Sequence, residues 1–212
     1  MARREHPVLS TTADARSAEI LSKIKSVFGQ KGFDGASMQE LARASGMSVG
    51  NFYRYFDSKD AIVAALVRQD LSEVAGTFRH ILASGDPRAA FLAALREELA
   101  SHANGCDGPL WAEIEAASGR RPEICRITST MEDEVVRFLT QTIALISGTS
   151  EEEAAVRFET HARFIIVLFK GVAMQTRATP ELIDLAVETV DRLLDDIVAT
   201  SSPRRLNAAA NR

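Results

Sequence analysis

A chain of 212 residues, 46% apolar and 25% charged, lies in the ordinary globular range and is long enough for one large domain or two small ones around a buried core. Its net charge of −4 is unevenly spread: residues 1–60 hold nine Lys and Arg against seven Asp and Glu, and the rest holds sixteen against twenty-two, so only the amino-terminal part suits a polyanion such as DNA. The two cysteines, Cys106 and Cys125, lie too far apart in sequence to suggest a disulfide framework or a zinc pattern, and FIIVLF at 164–169 falls far short of the roughly 20 apolar residues of a membrane span. With no signal-peptide pattern at the start, a cytoplasmic protein without membrane contact is expected.

Helix signals run along almost the whole chain, and no alternating strand pattern bounded by hairpin turns appears, which predicts an all-α fold of about nine helices. The first helix is expected over 13–31, with Ile20, Leu21, Ile24, Val27 and Phe28 on one stripe and Gly32 and Phe33 as its ending pair. In SMQE, Ser37 and Glu40 form a capping box that opens a short helix through Ala44, and Gly46 lets the backbone turn. Ser48 caps a third helix through about Phe56, and Asp57 or Ser58 a long fourth one toward Leu82. Turn-forming clusters at 84–87, 104–109, 119–122, 147–153 and 176–180 separate five more helices. The eighth helix reads as one element from Ser150 to Gln175, apolar nearly all round, and the last runs from Pro180 to about Thr200 with a broad apolar stripe. The expected organisation is a three-helix amino-terminal domain with a helix-turn-helix (1–60), a larger helical domain for effector binding and dimerisation (61–200) and a frayed tail (201–212).

The protein is poor in aromatics, yet both tyrosines and two of its ten phenylalanines crowd into FYRYF at 52–56. On a helix begun at Ser48, positions 49, 52 and 56 fall on an inner face, so Val49, Phe52 and Phe56 are expected to pack against the first two helices. Gly50, Asn51, Arg54 and Tyr55 then look outward, with Tyr53 at the border. Asn pairs with base edges, Arg reaches guanine or phosphate, and tyrosine hydroxyls donate to phosphate oxygens. A short helix, a turn with glycine and a second helix also match the geometry that enters a major groove.

From Ile20 through VF (27–28), GFDGASM (32–38), ELA (40–42), SGMSVGNFYRYFDSKD (45–60) and Ile62, the chain resembles the amino-terminal domain of TetR-family transcriptional regulators. The resemblance implies a homodimer on a double-stranded DNA operator, with a divergent helical carboxy-terminal domain that binds a small effector and supplies the dimer interface. It further implies that Ser37 and Gln39 touch the DNA backbone or nearby bases, that Val49, Gly50 and Asn51 face the groove, and that Tyr53, Tyr55 and Lys59 hold phosphates, with Ser48 and Arg54 as additions. Lys59 alone would read as a solvated lysine; its place at the start of a helix, where amides favour an anion, lifts it above that. Arg3 and Arg4, ahead of the first helix, are within reach of a minor groove.

In the larger domain, the surplus apolar surface of the last two helices marks Phe158, Ile165, Phe169, Val190, Leu193, Leu194 and Ile197 as a dimer interface. Phe91, Leu95, Trp111, Glu115, Met131, Val135 and Phe138 lie between the fourth and eighth helices. Most of them serve equally well as core, but they also suit an apolar wall with one charged contact for a small apolar or amphipathic effector. GPLWAEIEAASGRRPEI resembles, less specifically, the same region of some family members, including regulators of the choline and betaine type. His102 and Cys106 stand four apart, a spacing metal ligands use, but Gly105 intervenes and no further ligand is near, so no metal is expected. The chain has no GxSxG, Walker, GxGxxG or HExxH motif, so neither an enzyme nor a cofactor is expected. The contrasting reading is a helical adaptor that holds another protein with its aromatic face, which a weak salt dependence of binding would reveal.

Overall fold

The computed structural model describes residues 12–104, 107–175 and 178–201, so Arg3, Arg4, Cys106 and the tail after Ser201 lie outside the described residues. Among the described residues, ten helices and no strand follow one another: α1 (Thr12–Gly35), α2 (Met38–Ala44), α3 (Val49–Phe52), α4 (Lys59–Leu82), α5 (Pro87–Asn104), α6 (Asp107–Ser118), α7 (Pro122–Ser147), α8 (Glu151–Arg157), α9 (Glu159–Ala173) and α10 (Pro180–Ser201). The all-α reading holds, with one helix more than expected.

Local signals account for most helix ends. Gly32, at φ 73 and ψ 167, breaks the helical path of α1, and the backbone resumes one further turn to Gly35. Ser37 Oγ accepts from the Glu40 amide at 3.2 Å while the Glu40 carboxylate accepts from the Ser37 amide at 3.0 Å, completing the capping box of α2. Ser48, Ser58 and Ser150 cap α3, α4 and α8 in the same manner through their hydroxyls.

Two expectations are corrected. The third helix makes a single turn to Phe52, and residues 53–55 follow as tighter turns, with the Tyr55 amide donating to Phe52 O at 2.9 Å. The long eighth helix is two helices. At Phe158 the backbone leaves the helical region (φ −119, ψ 9) while hydrogen bonding continues on both sides, from the Phe158 amide to Ala154 O at 2.8 Å and from the Ala162 amide to Phe158 O at 2.9 Å. Burial of the Phe158 ring, edge-on to His161 at 5.5 Å, turns the chain without any glycine or proline to announce it.

The core has two parts, and α4 belongs to both. One gathers Ile20, Ile24, Phe28 and Phe33 of α1, Leu41 of α2, Phe52 and Phe56 around α3, and the first half of α4 from Ile62 to Val67. It also takes in Leu110, Ile114 and Ala117 of α6 and Ile124 of α7, so the first helices are seated on α6. The other gathers the far end of α4 (Phe78, Ile81) with α5, α7, α9 and α10. Gly108 allows α6 to start tight against α9, where a Cβ would lie 2.8 Å from the carbonyl of Ala173.

Candidate nucleic-acid interface and cavity

The turn between α2 and α3 is built by backbone bonds. The Gly46 amide donates to Arg43 O at 3.0 Å and the Met47 amide to Ala42 O at 2.9 Å, with Gly46 at φ 74 where a side chain would be strained. Phe52 and Phe56 are buried with ring centroids 5.6 Å apart, and these two aromatics fix the short helix to the core. Val49 is not with them: it is 39% exposed, and Met47 packs on the core instead. A one-turn helix has no continuous stripe, so the i, i+3, i+7 pattern fails at its first member.

Ser37, Gln39, Ser48, Val49, Gly50, Asn51, Tyr53, Arg54 and Tyr55 are exposed and share the end of the molecule formed by α2, α3 and the turn after it. Nothing crowds Gly50, so another backbone can approach it closely. Three of the expected contact residues have partners already, and one is Ser48, whose hydroxyl accepts from the Asn51 amide at 3.3 Å. The Ser37 hydroxyl serves the capping box, donating to the Glu40 carboxylate at 2.9 Å. Lys59 Nζ donates to Phe33 O at 2.7 Å and to Asp34 O at 3.2 Å and lies over the Phe33 ring at 4.8 Å. It therefore ties the start of α4 to the end of α1.

On the other side of that tie stands α6. The Phe33 amide, next to the break at Gly32, donates to the Glu113 carboxylate at 3.2 Å across 80 residues of sequence. The Arg121 guanidinium lies over the opposite part of the contact, 5.0 Å from the Phe33 ring, and bridges to Asp60 at 3.0 Å. Arg120 bridges to Asp34 at 3.3 Å.

The opposite face of α6 lines a partly open cavity of about 210 Å³ between α4, α5, α6, α7 and α9. Phe91, Leu95, Trp111, Glu115, Met131 and Val135 of the expected effector site all reach it. Phe138 does not: its ring stacks on Phe78 at 5.3 Å beneath the Arg137 guanidinium, as core. The polar groups of the wall were mostly missed from sequence. Asp70, Glu98 and His102 come from α4 and α5, and Lys170 of α9 bridges Glu132 at 2.9 Å and Glu115 at 3.3 Å. Burial works against the Lys170 ammonium, but its bond to Glu132 and the charge of Glu115 outweigh burial and hold its pKa above the ordinary lysine value. Burial, reinforced by the charge of Glu98, pushes the Asp70 carboxyl up to about 6. His102, paired with Cys106 by spacing alone, spends Nδ1 on Glu98 O at 2.9 Å and meets Phe169 edge-on at 5.3 Å.

The expected dimer interface is revised by burial. Phe158, Ile165, Val190, Leu194 and Ile197 sit in the protomer's own core, and Phe169 and Leu193 are half-buried against it. The apolar side chains left outside on these helices are Val156, Phe164 and Val167 of α8 and α9 and Leu182 and Leu185 of α10. Apolar residues nearly all round α9 supply both a core face and an outer face, and sequence alone does not say which is which.

Residues 20–66 match the family described as bacterial regulatory proteins, tetR family. The chain is similar to the HTH-type transcriptional regulator UidR of Escherichia coli (strain K12), with 23% identity over 172 residues covering 80% of this chain and 86% of that one. It is also similar to the HTH-type transcriptional repressor KstR2 of Rhodococcus jostii (strain RHA1), 34% identical over 80 residues that cover 38% of this chain and 39% of the relative. Among solved structures, Salmonella enterica GusR matches with a TM-score of 0.71 at 20% identity, covering 85% of this chain and 96% of that one. PfmR of Thermus thermophilus, a TetR family transcriptional regulator, matches with a TM-score of 0.60 at 22% identity, covering 83% and 97%. At these identities the structural likeness is one of fold.

Proposed function

We propose that this chain, which belongs to the tetR family of bacterial regulatory proteins and is a DNA-binding transcriptional regulator, works as a homodimeric repressor that a small ligand releases from a twofold-symmetric operator. The observation that carries the reading is the double role of α6: one face lines the cavity with Trp111 and Glu115, and the other holds the Phe33 amide through Glu113. A ligand that moves this helix moves the seat of α1, and with it the orientation of α3. The name of the matched relative KstR2, a repressor, supports the sign of the response. Residues 1–60 are the DNA-binding part in this reading and residues 61–200 the effector-binding and dimerising part.

Ser37, Gln39, Ser48, Val49, Gly50, Asn51, Tyr53, Arg54, Tyr55 and Lys59 form the proposed DNA surface. Val49, Gly50 and Asn51 are assigned to bases, Arg54 to base or backbone, and the tyrosines and Lys59 to phosphates. A single module of this size buries only about 600–1,000 Å² on DNA, so tight binding needs two modules on half-sites about 34 Å apart. In this reading the exposed Phe164, Val167, Leu182 and Leu185 face a second copy, pairing two helices from each chain.

The test is protection of the DNA upstream of the protein's own gene, titrated at several salt concentrations. A twofold-symmetric footprint is expected, with log affinity falling steeply against log salt, by about 0.9 for each phosphate contact. No footprint, together with salt-insensitive capture of a protein partner, would favour the adaptor instead.

A further inference from the structure

We infer that the cavity beside α6 takes an apolar molecule carrying one protonated amine, which pairs with the Asp70 carboxylate; this rests on the reading of that cavity as the effector site. Four carboxylates line the walls, Asp70, Glu98, Glu115 and Glu132, against the single ammonium of Lys170. Lys170 is already held by Glu115 and Glu132, which leaves no uncommitted lysine or arginine among the described lining residues for an anionic ligand. Asp70 is the opposite case. It faces the cavity from the middle of α4 and makes no hydrogen bond or ion pair with any other described residue. The charged groups around it are Glu98 and His102 on α5, Lys25 on α1 and Glu73 on its own helix; burial and Glu98 raise its pKa most, His102 and Lys25 pull against them, and Glu73 adds to the rise.

The remaining wall is set for an apolar body. Phe78, Phe91, Leu95, Met131, Ile166 and Phe169 surround the space. Trp111 lines both this cavity and a small neighbouring one that also reaches Asp70 and Lys25. An amine then replaces lost water with a charge-assisted hydrogen bond to Asp70 and removes the cost of an unpaired carboxylate in an apolar site. A hydroxyl head group can donate to the carboxylate but brings no opposite charge, and a carboxylate head group is repelled.

Trp111 is the only tryptophan of the chain, and its fluorescence reads occupancy. The full-length protein is titrated with 4-phenylbutylamine, 4-phenylbutanol and 4-phenylbutanoate, which share one apolar body. At neutral pH the amine is expected to bind tighter than the alcohol by about tenfold or more, with the carboxylate weakest. Asp70→Asn should abolish the preference while leaving the alcohol unchanged. In the native protein, amine affinity should fall as pH drops through about 6, where Asp70 takes up its proton, and in Asp70→Asn this fall should be absent. Equal binding of amine and alcohol, or a preference that survives Asp70→Asn, would overturn the inference. An Asp70-dependent amine that left operator affinity unchanged would uphold the cation site and refute its role as effector site. Failure of all three compounds to bind would remove both.

Discussion

Asp70 shows what single residues hide in a sequence. In the run RQDLSEV it looks like part of the solvated face of a helix, and only the packing of α5 and α6 over it reveals a half-buried carboxyl. Its folded pKa, about 6, lies above the unfolded value, so the folded state holds the proton more tightly. As pH rises the unfolded chain loses this proton first, and stability falls between about pH 4 and 6, with the full penalty present above 6. Asp70→Asn should therefore stabilise the protein near neutral pH, by about 1–3 kcal/mol, and by nothing near pH 4; urea midpoints of both proteins across that range test it. Lys59 makes the converse point. Sequence assigns it to phosphate, whereas its ammonium bonds Phe33 O and Asp34 O with one N–H still to give. Lys59→Ala is expected to lower affinity for all DNA sequences alike and to reduce the salt slope by about 0.9. Weaker binding at an unchanged slope would leave Lys59 only the task of holding α1 to α4.

At the scale of elements, the proposed recognition unit divides its work between α3 and the turn after it. Asn51→Ala should relax preference at one position in each half-site, while Tyr53→Phe should weaken binding to every sequence; binding selections with each variant separate the two. The contact between α6 and α1 predicts a different kind of defect. Glu113→Ala strips the Phe33 amide of its acceptor, at a cost of about 1–3 kcal/mol if the amide finds no other, and the amide should exchange its hydrogen faster. The ligand should still bind this variant, but its effect on operator affinity should shrink, because coupling needs an element that both sites bias. Titration of operator with and without a bound ligand measures that loss. The starts of α2, α3, α4 and α8 were legible in the sequence because a serine side chain specifies each by a bond of three residues' reach. The break at Phe158 and the grip of Glu113 on Phe33 were not, since one depends on where a ring is buried and the other joins residues 80 apart.

For the whole molecule the remaining question is which faces meet a second copy, and here burial overrides pattern. Six of the residues expected at an effector site line the cavity, because an apolar lining and a core obey the same periodicity. Periodicity does not separate a core face from an outer apolar face for the same reason: Phe158, Ile165, Val190, Leu194 and Ile197, expected at an interface, are buried within the protomer, while Phe164 and Val167 of α9 stay exposed. Leu194, which is 0% exposed, and Val167, which is 64% exposed, separate the two roles. A glutamate at position 194 buries a charge in the protomer itself, and Leu194→Glu should prevent folding. A glutamate at position 167 stays in water as long as the chain is alone, so Val167→Glu should leave the protomer folded and lose the proposed dimer, where an unpaired buried charge costs about 3–5 kcal/mol. Operator affinity should fall with it, because one module cannot reach the second half-site. Sedimentation of Val167→Glu, circular dichroism and an operator titration read the three consequences separately. A folded Val167→Glu dimer would move the interface elsewhere, and a folded monomer that still bound its operator tightly would break the link between pairing and recognition.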